Sequence, residues 1–113
     1  MAYNIHIHEG KGSKKQKYFW RLEDSKGVVL GCGGEPFSTR WSSKRSVNRL
    51  DDLLQNDAST AEIATNKKGE WFWRIRARNA RLMARGTVYY PTKAKAKSSL
   101  VKFTKAFSKA VIA

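Results

Sequence analysis

The chain has 113 residues and 41% apolar side chains, enough for one domain with its own core and too many for a disordered basic tail. Lys and Arg number 23 against 9 Asp and Glu, a net charge of +14 that points to polyanionic partners. No apolar run approaches the roughly 20 residues of a membrane span, Met1-Ala2-Tyr3-Asn4 does not open a signal peptide, and the single Cys32 excludes an internal disulfide, so the expected setting is cytoplasmic.

Tyr3 to Glu9 alternates apolar and polar side chains and predicts a first strand, with Tyr3, Ile5 and Ile7 on one face and Asn4, His6 and His8 on the other. Gly10 to Lys17 is a lysine-rich loop. Tyr18 to Asp24 and Val28 to Cys32 are the next strands, joined by the tight turn Ser25-Lys26-Gly27, where Gly27 is free to take positive φ. Gly31, Gly33 and Gly34 loosen the end of the third strand before Pro36. A helix follows, with Ser42 or Ser43 as the expected N-cap, Val47, Leu50 and Leu54 as its apolar stripe, and its end near Asn56.

Ala61 to Asn66 is a further strand, and Lys67-Lys68-Gly69 a turn. Glu70 to Gly86 has strand chemistry: Trp71, Trp73, Ile75 and Ala77 alternate with Phe72, Arg74, Arg76 and Arg78. A break at Arg78-Asn79-Ala80, with Asn79 suited to the left-handed conformation, separates it from the short run Arg81 to Arg85. Thr92 is the expected N-cap of a second helix. Ala96, Leu100, Phe103, Phe107 and Val111 form its stripe, so the helix is expected to run to the end of the chain.

The two halves share a text. Tyr18-Phe19-Trp20-Arg21-Leu22 precedes Trp71-Phe72-Trp73-Arg74-Ile75 by 53 positions, and at the same offset Gly33 falls on Gly86, Phe37 on Tyr90, Ser46 on Ser99 and Leu50 on Phe103. An internal repeat decides the fold before any single motif does. The expected fold is α+β: two tandem β-β-β-α repeats, 1–57 and 58–113, forming one antiparallel sheet with two helices packed on one face of a single domain. Trp20, Leu22, Trp73 and Ile75 would face the helices, and Phe19, Arg21, Phe72, Arg74, Arg76 and Arg78 the open face. The charge is lopsided: residues 1–60 carry a net of +3 and residues 61–113 a net of +11.

These features resemble the YegP-like family of small bacterial proteins of largely unknown function. The resemblance rests on the aromatic-rich strands at Tyr18 to Leu22 and Trp71 to Ile75. It also rests on Phe37-Ser38-Thr39-Arg40 and Tyr90-Pro91-Thr92-Lys93 before the helices, and on the helical pairs Val47/Leu50 and Leu100/Phe103. It implies one sheet shared by two repeats, often homodimers, and no catalytic residues.

The chemistry-bearing constellation is basic and aromatic. Arg74, Arg76, Arg78, Arg81 and Arg85 lie near Phe72, with Arg21 at the matching place in the first half. Guanidinium groups pair with phosphates, and aromatics stack on bases. Lys102, Lys105 and Lys109 of the second helix, and the loop from Lys11 to Lys17, would extend that footprint. The plain alternative is a polar face shown to water, but such a face ordinarily mixes signs and this segment has almost no acids. His6 and His8 lack a further ligand at metal-site spacing, Cys32 lacks a base partner, and the glycines around it are not followed by the Lys-Ser/Thr of a phosphate loop. Trp41, beside the helix start, is expected to be exposed. The expected function is non-enzymatic nucleic-acid binding through phosphate contacts, without cofactor or metal. The alternative is a protein-interaction module or small inhibitor docking on an acidic protein surface.

Overall fold

The computed structural model describes residues 3–10 and 17–112. Among the described residues the strands are β1 (Tyr3–Glu9), β2 (Tyr18–Asp24), β3 (Val29–Gly33), β4 (Ser59–Thr65), β5 (Trp71–Ala77), β6 (Leu82–Arg85) and β7 (Val111–Ile112). The helix α1 (Arg40–Gln55) follows β3, and α2 (Lys93–Lys109) follows β6. The strands form one sheet in the order β4-β5-β6-β3-β2-β1-β7. None of these helices is long and apolar enough to cross a membrane.

The expected fold class does not hold. The sheet is mixed and has seven strands, not one antiparallel sheet closed by two β-β-β-α repeats. The helical stripe does not continue to Val111. The chain leaves α2 at Ala110, whose backbone is extended (φ −78°, ψ 152°), and Val111 and Ile112 add to the sheet. They lie parallel to β1, with Asn4 opposite Val111 and Ile5 opposite Ile112. Two β-branched residues favour a pleated edge over a helix end, and α2 carries the chain from β6 across the sheet to the edge at β1.

Alternation explains the core. Trp20 and Leu22 from β2, and Trp73 and Ile75 from β5, are buried against Val47 and Leu50 of α1 and Leu100, Phe103 and Phe107 of α2. Phe103 is central: its ring lies 4.8 Å from Trp73, 5.6 Å from Phe107 and 6.3 Å from Trp20. Gly31 and Gly33 do not merely loosen a strand end. A Cβ on Gly31 would stand 2.4 Å from the Phe103 ring, and one on Gly33 would stand 2.6 Å from Trp20 Nε1. Both glycines therefore make room for aromatics on the helix side. Gly86 does the same for the Trp73 indole, whose Nε1 donates to Ser99 Oγ at 3.1 Å.

Local signals fall into place with two corrections. Thr92 caps α2 as expected, its hydroxyl accepting from Lys95 N at 3.2 Å. The cap of α1 is Thr39, not Ser42 or Ser43: its Oγ1 accepts from Ser42 N at 3.0 Å. In the β5–β6 turn the left-handed residue is Ala80 (φ 66°), not Asn79. Asn79 instead turns its side chain inward, Oδ1 accepting from Arg81 N at 3.0 Å. That Asx contact holds the turn and moves the positive φ one residue along.

Candidate nucleic-acid interface

The face opposite the helices carries one transverse row of cross-strand neighbours. From β4 to β1 it runs Glu62, Arg74, Arg85, Cys32, Arg21 and His6. Directly opposed residues on one face of a sheet stand about 5 Å apart at Cβ, so three arginines share a band across the middle strands. Period two put them on this face, and the antiparallel registers aligned them. Shifts of register at Leu22/Glu23 and at Ile75/Arg76 bend β2 and β5 at the end of this band.

The centre of the band is hollow. Gly31 and Gly33 point to the helix side and Cys32 is small, so β3 raises little above the sheet. The flanks are Phe19 and Arg21 on one side and Arg85 on the other, with Pro36 and Val88 from the two loops, around a cavity of about 620 Å³. Cys32 lies on its floor, unpaired and buried. Burial pushes its thiol up, and the nearby charges of Arg85 and then Arg21 only partly counter this. The thiol is therefore neutral near pH 7, which is the opposite of an activated nucleophile.

The face is not free of acids. Glu62 on β4 accepts from Arg74 Nη2 at 3.0 Å and from Arg76 Nε at 2.6 Å. Burial opposes its ionisation, but the hydrogen bond and charge of Arg76, then those of Arg74, outweigh it and hold its carboxyl below the usual range. Glu23 answers His6 at 3.3 Å and lies 3.8 Å from His8. Among the described residues Arg21 and Arg85 make no carboxylate ion pair, so the uncompensated charge on this face is theirs. Each aromatic is close to a cation: Arg21 lies 5.1 Å from the Phe19 ring centre and Arg74 5.0 Å from that of Phe72. His8 stacks on Phe19 at 5.6 Å, and Tyr89 meets Phe72 edge-on at 6.0 Å.

The structure divides the sequence-predicted site residues. Phe72, Arg74, Arg76, Arg85 and Arg21 come together on the open face. Arg78 lies in the β5–β6 turn, exposed. Arg81, beside it, pairs with Glu35 at 3.2 Å and faces α1. Lys102, Lys105 and Lys109 are exposed on α2, which covers the other face of the sheet, so they do not extend the arginine band. Of the lysine-rich loop, residues 11–16 lie outside the described residues, and Lys17 pairs with Glu9 at 2.8 Å. Trp41 is 67% exposed, as its place beside the helix start suggests. Sequence reasoning missed Glu62. A signal for it exists: pairing β4 with β5 as a hairpin about Lys67-Lys68-Gly69 places Glu62 directly opposite Arg74.

Residues 66–100, which hold β5, β6 and the first half of α2, match the family model of DUF1508, a domain of unknown function. The fold of the whole chain is that of two solved structures. One is a protein of unknown function, yegP from E. coli, at TM-score 0.76 and 15% identity, covering 99% of this chain and 91% of that one. The other is a UPF0339 protein from Shewanella oneidensis, at TM-score 0.77 and 13% identity, covering 99% of this chain and 90% of that one. The fold is YegP-like. The sequence match lies in the half that carries five of the arginines. Identity this low shows a shared YegP-like fold and nothing of ligands. Comparison with curated proteins returns no match.

Proposed function

We propose that this protein binds nucleic acid, without catalysis, through the open face of its sheet. One observation carries the reading: Arg21 and Arg85 flank a hollow of about 620 Å³ with no carboxylate partner among the described residues, on a face whose other arginines are paired. Their guanidinium groups would take backbone phosphates as two-pronged donors. Phe19, Phe72 and Tyr89 offer ring faces or guanidinium-covered rings beside them, which suits stacking with unpaired bases and favours single strands over duplex. The neutral, buried Cys32 supports both a non-catalytic role and a reducing, cytoplasmic setting.

A second reading has its own observation. Glu62 and Glu23 place fixed negative charge beside the arginines, a mixed-sign pattern that suits an acidic protein surface bordered by basic groups. Fluorescence anisotropy of labelled single-stranded DNA, duplex DNA and RNA, over about 50 to 200 mM salt, separates the two. Affinity that survives to the higher salt, with a steep slope and a preferred polymer, supports nucleic-acid binding. Equal, weak binding that vanishes for all three polymers sinks it in favour of a protein partner.

A further inference from the structure

A second hollow, of about 500 Å³, opens between α1 and the β5–β6 turn. Its α1 wall is Ser42, Arg45, Ser46 and Arg49, spaced three and four apart and so on one helical stripe. The rest of its lining is Asn79 and Arg81 with the apolar Phe37, Leu82 and Met83. The turn that presents Arg81 is held by Asn79 Oδ1 and by the left-handed Ala80. Three guanidinium-bearing side chains therefore line one small space, from two separate elements.

Their charges are poorly answered. Among the described residues, Arg45 and Arg49 make no carboxylate ion pair, and Arg81 has Glu35 at 3.2 Å. Arg45 instead lies over the exposed Trp41 ring, 5.2 Å from its centre. Like charges facing one cavity repel each other, and an entering anion relieves that repulsion. The planar fork of arginine fits a tetrahedral oxyanion, and serine hydroxyls add neutral donors. We infer that this hollow is a phosphate site, separate from the sheet face. The phosphate comes either from a nucleic-acid backbone or from a free phosphate group. The two hollows meet at the Glu35–Arg81 pair, because Glu35 lines the first and Arg81 the second. The inference stands without the sheet-face reading.

The test is an NMR titration of the ¹⁵N-labelled full chain with inorganic phosphate, ionic strength held constant with chloride. Saturable shifts are expected at the amides of Ser46, Arg49, Asn79 and Arg81. Arg45→Gln with Arg49→Gln should weaken phosphate binding by at least about tenfold, the loss of two charge-assisted contacts. Glutamine is a good helix former and both positions are exposed, so the variant should keep its amide spectrum. Arg21→Gln with Arg85→Gln removes any phosphate taken on the sheet face and should still leave the shifts at these four amides in place, and Glu35→Gln should tighten binding there by releasing Arg81. Unsaturable shifts scattered over the basic surface, or saturable shifts at these four amides that persist in the Arg45/Arg49 variant, would overturn the site.

A single-stranded oligonucleotide of about 12 nucleotides then identifies the source. Shifts at the same amides, with oligonucleotide affinity lost in the Arg45/Arg49 variant, assign a backbone phosphate. Unchanged oligonucleotide binding in a variant that no longer takes phosphate assigns a free one. If the Arg21/Arg85 variant binds oligonucleotide as well as the natural chain does, the sheet-face reading fails while the phosphate site stands.

Discussion

Arg76 Nε donates to Glu62 Oε1 at 2.6 Å, and this pair sets the electrostatics of the open face. Glu62 also holds Arg74, so one acid from β4 answers two arginines of β5. Removing that acid should strengthen polyanion binding. Glu62→Gln is expected to tighten oligonucleotide binding about fivefold at low salt, a modest gain because both arginines are already on the face. An anisotropy titration that shows weaker or unchanged binding would place the interface elsewhere.

Arg21 and Arg85 should carry the binding. Arg21→Gln with Arg85→Gln is expected to weaken oligonucleotide affinity by about ten- to a hundredfold and to lower the salt slope by about two. Arg74→Ala with Arg76→Ala should also weaken binding, by another route: it leaves Glu62 charged and unanswered on the face. Adding Glu62→Gln to that pair should restore most of the loss. Additive effects across this cycle would mean that Glu62 does not couple to the arginines in solution.

The core makes two opposed predictions. Trp73 is fully buried, with Phe103, Gly86 and Ser99 around its indole. Trp73→Ala should cost about 3 to 5 kcal/mol by leaving a cavity. Gly31→Ala should cost about 1 to 3 kcal/mol for the opposite reason, because its methyl has no room beside Phe103 and forces it off its rotamer. Urea unfolding followed by tryptophan fluorescence measures both; an unchanged midpoint for Gly31→Ala would show that Phe103 gives way freely.

His8 makes stability depend on pH. Burial and then the charge of Arg21 hold its imidazole below the ordinary 6.5, against the pull of Glu23. The native chain therefore takes up this proton less readily than the unfolded chain does. Its contribution is fully present above the unfolded value of 6.5 and is lost as pH falls below it. The urea midpoint should fall between about pH 8 and pH 5, and His8→Gln should flatten that fall. An identical profile in the variant would assign the acid sensitivity to other groups.

The likeness between Trp20 and Trp73 ends at their indoles, and it shows how far sequence reaches. Both were legible as inward-facing from alternation, and both pack over a glycine, Gly33 or Gly86. Trp73 Nε1 has Ser99 and, through it, the Tyr90 hydroxyl at 2.7 Å from Ser99 Oγ. Trp20 Nε1 has no such partner, although Ser46 stands at the place of Ser99, and Phe37, at the place of Tyr90, carries no hydroxyl. Matching positions did not carry matching contacts, because a hydrogen bond depends on an atom that residue character does not preserve.

By itself the sequence determined what is local. Period two decided which face of β2 and β5 is apolar, a threonine beside basic residues decided the cap of α2, and a glycine decided the positive φ at Gly27. Only the tertiary structure decided what depends on register between distant segments. It laid Val111–Ile112 along β1 rather than on the helix, brought Glu62 onto Arg74 and Arg76, and lined Arg85, Cys32 and Arg21 across three strands. It also set the α2 lysines on the far side of the sheet from those arginines. Side-chain direction within a strand or helix follows from bonded geometry and the chain's own period. The partner across a sheet follows from which edges meet, and that is settled by burying the whole core at once.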